Sequence, residues 1–171
     1  PRARDATEPM PAVAQRIPRD VPPLASKFPD ALEGESLVAR ARVSGGKLQA
    51  QEMEGFGEAW SRDSHLWWTG GKPQDFLEIP FEVKEGALYS VRMHPTKAAV
   101  YGIVAFAVDG RDLGLPFDGY HDGVVASGEL ELGRTRLEAG PHTLLLRIRG
   151  ANAKAIPKHM VGLDYVRFVK S

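Results

Sequence analysis

From Leu32 onward, hydrophobic and polar positions alternate with the two-residue period of β-strands. The runs are short, rich in Val, Ile, Leu and aromatics, and bounded by Gly, Asp, Asn and Pro. Strands are predicted over 36–42, 48–53, 65–68, 76–83, 87–94, 101–108, 128–137, 143–149 and 161–169. In 87–94, Ala87, Tyr89, Val91 and Met93 share one face, and Leu88, Ser90, Arg92 and His94 the other. In 143–149, Leu144, Leu146 and Ile148 fall together, with Arg147 and Arg149 outward. Tight turns are written at Val108-Asp109-Gly110-Arg111 and at Glu138-Ala139-Gly140-Pro141. The one modest helical stretch, 152–160, is interrupted by Pro157. Eight or nine short antiparallel strands predict an all-β fold, an antiparallel β-sandwich of jelly-roll type. With no internal repeat, a solenoid or propeller is not expected.

Composition changes this picture at the N-terminus. Seven of the 13 prolines, Pro1, Pro9, Pro11, Pro18, Pro22, Pro23 and Pro29, precede residue 30. Such density removes backbone donors and fixes φ, so neither a helix nor a ladder is sustained. Residues 1–31 are expected to be a proline-rich linker or arm, and 32–171 the globular domain. The segment would tether an upstream domain, or wrap the body with Leu24, Phe28 and Leu32 as anchors. Charge is balanced, 22 Lys+Arg against 22 Asp+Glu, without the basic surplus of a nucleic-acid binder. The absence of cysteine removes disulfides, thiolate zinc sites and thiol nucleophiles. No apolar run reaches the roughly 20 residues of a membrane span. Pro1 is not preceded by a basic-then-apolar leader, so a signal peptide, if there was one, is expected to have been removed or to lie upstream.

Five motifs in order carry a family resemblance. They are Leu32-Glu33-Gly34-Glu35; Asp75 to Val83, reading Asp-Phe-Leu-Glu-Ile-Pro-Phe-Glu-Val; Val108-Asp109-Gly110; Leu137 to Leu144, reading Leu-Glu-Ala-Gly-Pro-His-Thr-Leu; and Gly162-Leu163-Asp164-Tyr165-Val166-Arg167-Phe168. Together, over about 33–169, they resemble the carbohydrate-binding modules of families 6 and 35, which are galactose-binding-like jelly rolls. The segments 66–70, 101–104, 116–120, 123–125 and 162–165 are similar to accessory domains of secreted bacterial proteins whose catalytic region is of glycoside hydrolase family 172 type. No such catalytic region stands in this chain.

The resemblance implies a structural Ca²⁺ held by Glu33, Glu35 and Asp164. The residue types agree, since clustered carboxylates are hard oxygen ligands suited to Ca²⁺. The same residues could equally face solvent or bond backbone amides. It also implies a saccharide surface, in which aromatic rings stack on the C–H face of a sugar and polar groups take its hydroxyls. Candidate ligand residues are Trp67, Trp68, Tyr101, Phe117, Asp118, Tyr120, His121, Asp122 and Asn152, with Trp60 a further possible platform. Trp67 and Trp68 are adjacent, so one is expected to point inward and the other outward. Phe117 and Tyr120 would otherwise cap the sandwich core, with Asp118 and Asp122 as turn formers. Gly162 stands where the resembling sugar binders carry an Asn, which weakens the implied site and favours a structural role.

No catalytic residue is expected. His65, His94, His121, His142 and His159 are isolated, and no nucleophile elbow, phosphate loop or His-Glu-x-x-His occurs. Arg134, Arg136, Arg147 and Arg149 are expected on two neighbouring strands as an outward stripe, paired with Glu129, Glu131 and Glu138. The expected function is therefore a non-catalytic carbohydrate-binding accessory domain of a larger secreted, periplasmic or cell-surface protein. Its expected partners are a polysaccharide or oligosaccharide and an upstream catalytic domain or chain, with no nucleic acid and no membrane span. The alternative is a structural domain that assembles a catalytic partner, itself a possible homo-oligomer.

Overall fold

The computed structural model describes residues 28–57 and 59–171. The chain forms β1 (Leu32–Glu33), the one-turn helix α1 (Gly34–Leu37), β2 (Arg42–Val43), β3 (Lys47–Glu52), β4 (Ser64–Thr69), β5 (Phe76–Val83), β6 (Ala87–Lys97), β7 (Ile103–Val108), β8 (Arg111–Asp112), β9 (Phe117–Asp118), β10 (Val125–Ala126), β11 (Leu130–Leu137), β12 (Gly140–Gly150) and β13 (Val161–Lys170). Two sheets face one another. The first runs β10-β6-β13-β4-β3, with β1 on β13 and β11 on β6; the second runs β2-β5-β12-β7-β8, with β9 on β7. The fold is the expected antiparallel β-sandwich.

The core lies between the sheets. Leu66, Trp68, Val91, Met93 and Leu163 from the first sheet meet Leu77, Ile79, Phe106, Leu144, Leu146 and Ile148 from the second. The alternation read for 87–94 and 143–149 holds: Tyr89, Val91, Met93, Leu144, Leu146 and Ile148 are buried inward. The Asp109-Gly110 turn has φ of 50° and 81° at its two central residues, and Val108 pairs with Arg111 across it. Two successive positive φ values give the twist that suits a tight hairpin, which explains Asp-Gly there.

Four expectations are corrected. Residues 36–42 are not a strand: Gly34–Leu37 turn once as α1, burying Leu37 in the core, and only Arg42–Val43 extend. The 152–160 stretch holds no helix. β11 and β12 do not pair, because β11 adds to β6 while β12 lies between β5 and β7 in the other sheet. The chain therefore crosses between sheets at Glu138-Ala139, and no arginine stripe forms. Arg134 instead lies 3.0 Å from Glu131 and Arg136 3.8 Å from Glu138, while Arg147 donates to the Gln74 carbonyl at 2.7 Å.

Residues 1–27, Leu24 among them, lie outside the described residues. At their edge Phe28 docks under the Arg167 guanidinium, 3.9 Å from ring centroid to Cζ, and tilts against Tyr165. Leu32 pairs with Val166 in β1.

Candidate functional site

Both faces of β4 are covered, and this decides the fate of the tryptophans. Trp68 points into the core and is fully buried, its Nε1 donating to the Gly45 carbonyl at 2.9 Å. Trp67 points the other way, yet it is 2% exposed, packed with Ala98, Tyr101 and Met160. Trp60 is also buried and donates through Nε1 to Thr96 Oγ1 at 2.8 Å. None of Trp60, Trp67, Trp68 or Tyr101 presents a ring face to a ligand. The reason is geometric: the segment around 98–101 folds over the outer face of β4 and turns it into a second small core.

A polar chain runs through that layer. Thr96 Oγ1 lies 2.8 Å from His65 Nδ1, and His65 Nε2 lies 2.6 Å from Gln51 Oε1. Burial drives the His65 pKa down to about 3, so the ring is neutral. Thr96 donates to Nδ1 and the Nε2–H donates to Gln51, which leaves neither nitrogen unpaired. The sequence offered a signal for this in the period of two that places His65 beside Trp67, but not for its covering.

Gly162 sits against the same layer. A Cβ there would stand 2.6 Å from His65 Cε1 and 2.8 Å from the Tyr101 ring and hydroxyl. The Asn of the resembling sugar binders has no room, because Tyr101 and His65 occupy its space. Gly162→Asn is expected to lower stability by about 1–3 kcal/mol through overpacking. A melting temperature equal to that of the parent would show that this layer yields freely.

The loop after β8 makes the exposed end. Gly119 donates to the Gly102 carbonyl at 3.0 Å and accepts from Ala98 N at 3.0 Å, strapping the loop to 98–102. Asp118 accepts from Asn152 Nδ2 at 2.7 Å and from Tyr120 N at 3.0 Å. Tyr120 donates its hydroxyl to Asp122 Oδ1 in a short bond, which raises the phenol pKa above its ordinary value. Lys97 Nζ stands 5.4 Å from the centre of the Phe117 ring. Phe117, Asp118, Tyr120 and Asn152 are half-buried, while His121 and Asp122 are exposed. The structure thus brings together Phe117, Asp118, Tyr120, His121, Asp122 and Asn152 at the surface, while Trp67 and Trp68 are buried and Tyr101 is buried beneath the Gly119 strap. Sequence reasoning missed Lys97 in this group.

The carboxylate cluster lies elsewhere, where β1 meets β13. Gly34 allows the approach: a Cβ there would lie 2.0 Å from the Leu163 carbonyl oxygen and 3.0 Å from that of Asp164. Glu33 and Glu35 therefore approach Asp164 from a strand end and a helical turn. Asp164 accepts from Ser61 N at 3.0 and 3.1 Å and from His94 Nδ1 at 2.6 Å. Ser61 Oγ donates to Glu33 Oε1 at 2.7 Å. Glu33 Oε2 and Glu35 Oε2 are buried without a hydrogen-bond partner. Burial first, then the neighbouring carboxylates Glu33 and Asp164, push the Glu35 pKa up to about 8. Burial also raises Asp164, against the His94 and Ser61 bonds. Arg62 and Asp63 hold φ of 54° and 52°, which costs non-glycine residues about 1 kcal/mol each.

These donors fit a divalent cation by their chemistry: three hard carboxylates, two with oxygens left unpaired in the interior. As they stand they are not convergent, since no three His, Asp or Glu side chains among the described residues are gathered to hold a metal ion.

Comparison with known proteins places the architecture. No family model matches the sequence, and no curated protein does. Solved structures do. The family 35 carbohydrate-binding module from Clostridium thermocellum superposes with a TM-score of 0.52 at 17% identity, over 83% of this chain and 99% of that one. This chain has the fold of the family 35 carbohydrate-binding modules. The CBM35 from Paenibacillus barcinonensis gives 0.51 at 10% identity, over 82% and 98%. A Paenibacillus xanthan lyase matches with a TM-score of 0.70 at 18% identity, over 87% of this chain but only 14% of the lyase. No helix among the described residues is long and apolar enough to cross a membrane.

Proposed function

We propose that this domain is a non-catalytic carbohydrate-binding accessory module of a larger exported carbohydrate-active protein. The observation that carries the reading is the strapped loop end, set on a sandwich of carbohydrate-binding-module fold. There Tyr120 offers a half-exposed ring, flanked by the exposed His121 and Asp122. The ring takes the C–H face of a sugar, and the imidazole and carboxylate take hydroxyls. Phe117, Asp118 and Asn152 shape the loop: the Asp118 carboxylate and the Asn152 amide are engaged with each other, so they position the surface. The xanthan lyase supports a multidomain setting, since a domain of this shape forms a small part of a long enzyme chain.

The test is a glycan array followed by affinity electrophoresis. Tyr120→Ala is expected to weaken a bound glycan at least tenfold, with the melting temperature within a degree or two of the parent. Retained affinity in Tyr120→Ala would remove the loop from the reading. A second reading, a structural domain that assembles a catalytic partner, is favoured by the closure of the Gly162 position. Under it no glycan binds, and sedimentation detects a concentration-dependent oligomer.

We also propose a structural calcium at Glu33, Glu35 and Asp164. The cation would neutralise the clustered charge and tie β1 and α1 to β13. Millimolar CaCl₂ is then expected to raise the melting temperature by several degrees and EDTA to reverse it. A midpoint unmoved by either would sink the site.

A further inference from the structure

One histidine closes the end of the core opposite the candidate loop. β7 runs from Ile103, beside Phe117–Asp118, to Val108, at the Asp109-Gly110 turn, and His142 stands at that far end. It shares the inward parity of Leu144, Leu146 and Ile148 on β12, and its side chain is 11% exposed. Its ring stacks on Phe81 of β5, with centroids 5.5 Å apart, and Phe81 stacks on Phe168 of β13 at 3.8 Å. The three rings span both sheets.

Two distant parts of the chain meet at this ring. Nδ1 lies 2.6 Å from Asp109 Oδ2, in the β7–β8 turn, and Nε2 lies 2.7 Å from the Glu138 carbonyl, in the crossing between the sheets. Asp109 is itself fixed: its Oδ1 accepts from Thr143 N at 2.9 Å, and its amide donates to the Thr143 carbonyl at 3.0 Å. A carboxylate and a backbone carbonyl only accept. Neutral imidazole carries one N–H and satisfies one of them, so both are satisfied only when the ring carries two protons. The charged groups facing the ring are Asp109 and Glu138, which favour that state, and Arg111 and Arg136, which line the same cavity of about 400 Å³ and oppose it. Burial also opposes it, but the Glu138 carbonyl and the Asp109 carboxylate prevail and raise the pKa. Gly140, two residues before His142, has φ of 123° with open space where a Cβ would stand, so the chain can pivot there.

We propose that the second proton of His142 works a clasp. With both nitrogens protonated, the imidazolium holds the β7–β8 turn and the Glu138-Ala139 crossing together over the end of the core. When the pH rises and one proton leaves, Asp109, the stronger acceptor, keeps the Nδ1–H. Nε2 then turns a lone pair to the Glu138 carbonyl, and the crossing swings away about Gly140. The first rungs of the β12–β5 ladder open while its centre holds.

Nitrogen-15 spectra of the imidazole in the full chain test this, together with amide exchange on either side of the His142 midpoint. The midpoint is expected above the ordinary 6.5, with the neutral ring protonated on Nδ1. Protection factors, corrected for intrinsic exchange, are expected to fall at least tenfold further across that midpoint at the Val83/Gly140 and Phe81/His142 rungs than at the Ile79/Leu144 and Leu77/Leu146 rungs. His142→Gln, uncharged at every pH, is expected to abolish the difference. A midpoint at or below 6.5, a neutral ring protonated on Nε2, an equal loss at all four rungs, or a difference that persists in folded His142→Gln each overturn the clasp. Should His142→Gln fail to fold, Asp109→Asn takes its place: a midpoint lowered towards 6.5 supports the clasp, and an unmoved one overturns it.

Discussion

Trp68→Ala will lower the folding free energy by about 3–5 kcal/mol. The side chain is fully buried between the sheets, and its indole N–H is spent on the Gly45 carbonyl. Removing it leaves a cavity that the flanking strands cannot close, because Ile148 and Gly71 already lie against one another and against the indole. It also orphans a carbonyl. Any loss of glycan affinity in this variant is then a loss of folded protein, in contrast with Tyr120→Ala, whose ring lies at the surface of the loop. Urea titration separates the two: Trp68→Ala shifts the midpoint strongly, whereas Tyr120→Ala leaves it near the parent value. A Trp68→Ala chain as stable as the parent that no longer bound glycan would move the ligand surface to β4.

What could be read from the sequence follows the range of the forces involved. The interiors of β5, β6 and β12 were legible because each strand has one face in the core, and burial enforces the alternation locally. The Asp109-Gly110 hairpin was legible because its backbone demands those residue types. α1 was not, since four residues of helix have no periodic signature; Gly34 matters there for an approach to Leu163 and Asp164 about 130 positions away along the chain. Nor was the burial of Trp67, because alternation says which way a side chain points and not what covers it. The arginine stripe failed for a related reason: Glu138-Ala139 looks like a hairpin turn but is a crossing between sheets. For the candidate site, composition singled out the Phe117–Asp122 loop, whose residues the structure places together at one end of the sandwich. Its strap through Gly119 and its Asp118–Asn152 brace depend on contacts from 98–102 and 152, which no local pattern encodes.

Stability in EDTA is expected to be flat from about pH 4.5 to 6.5 and to fall on either side. Two groups with opposite perturbations set those edges. His65 is held neutral by burial, with its pKa lowered from 6.5 to about 3. Its contribution is complete above pH 6.5 and is lost as the pH falls towards 3, on the order of 4–5 kcal/mol if no other group titrated. Glu35 is the reverse case, raised from 4.5 to about 8. The folded state favours its protonated form, so its contribution is complete below pH 4.5 and is lost as the pH rises through 8. Between 4.5 and 6.5 the unfolded chain holds a proton on His65 and the folded chain one on Glu35, and the two slopes cancel. Above 6.5 the Glu35 slope remains. His142 adds to it in the same sense: burial lowers its pKa, but the Glu138 carbonyl and the Asp109 carboxylate outweigh this and raise it overall. Below 4.5 the His65 slope remains, joined in the same sense by Asp75 and Glu131, which bonds from Lys72 N and Ser90 Oγ hold below their ordinary pKa values, and opposed by Asp164, which burial raises. Urea midpoints from pH 3 to 9 give the curve directly. Glu35→Gln should flatten most of the alkaline fall, and calcium should do the same in the parent by favouring the ionised carboxylate. Midpoints that rise from pH 5 to 6.5 in EDTA, followed by an alkaline fall that Glu35→Gln leaves unchanged, would mean that Glu35 is ionised at its ordinary pKa, and would remove the raised carboxylate that the cation is proposed to meet.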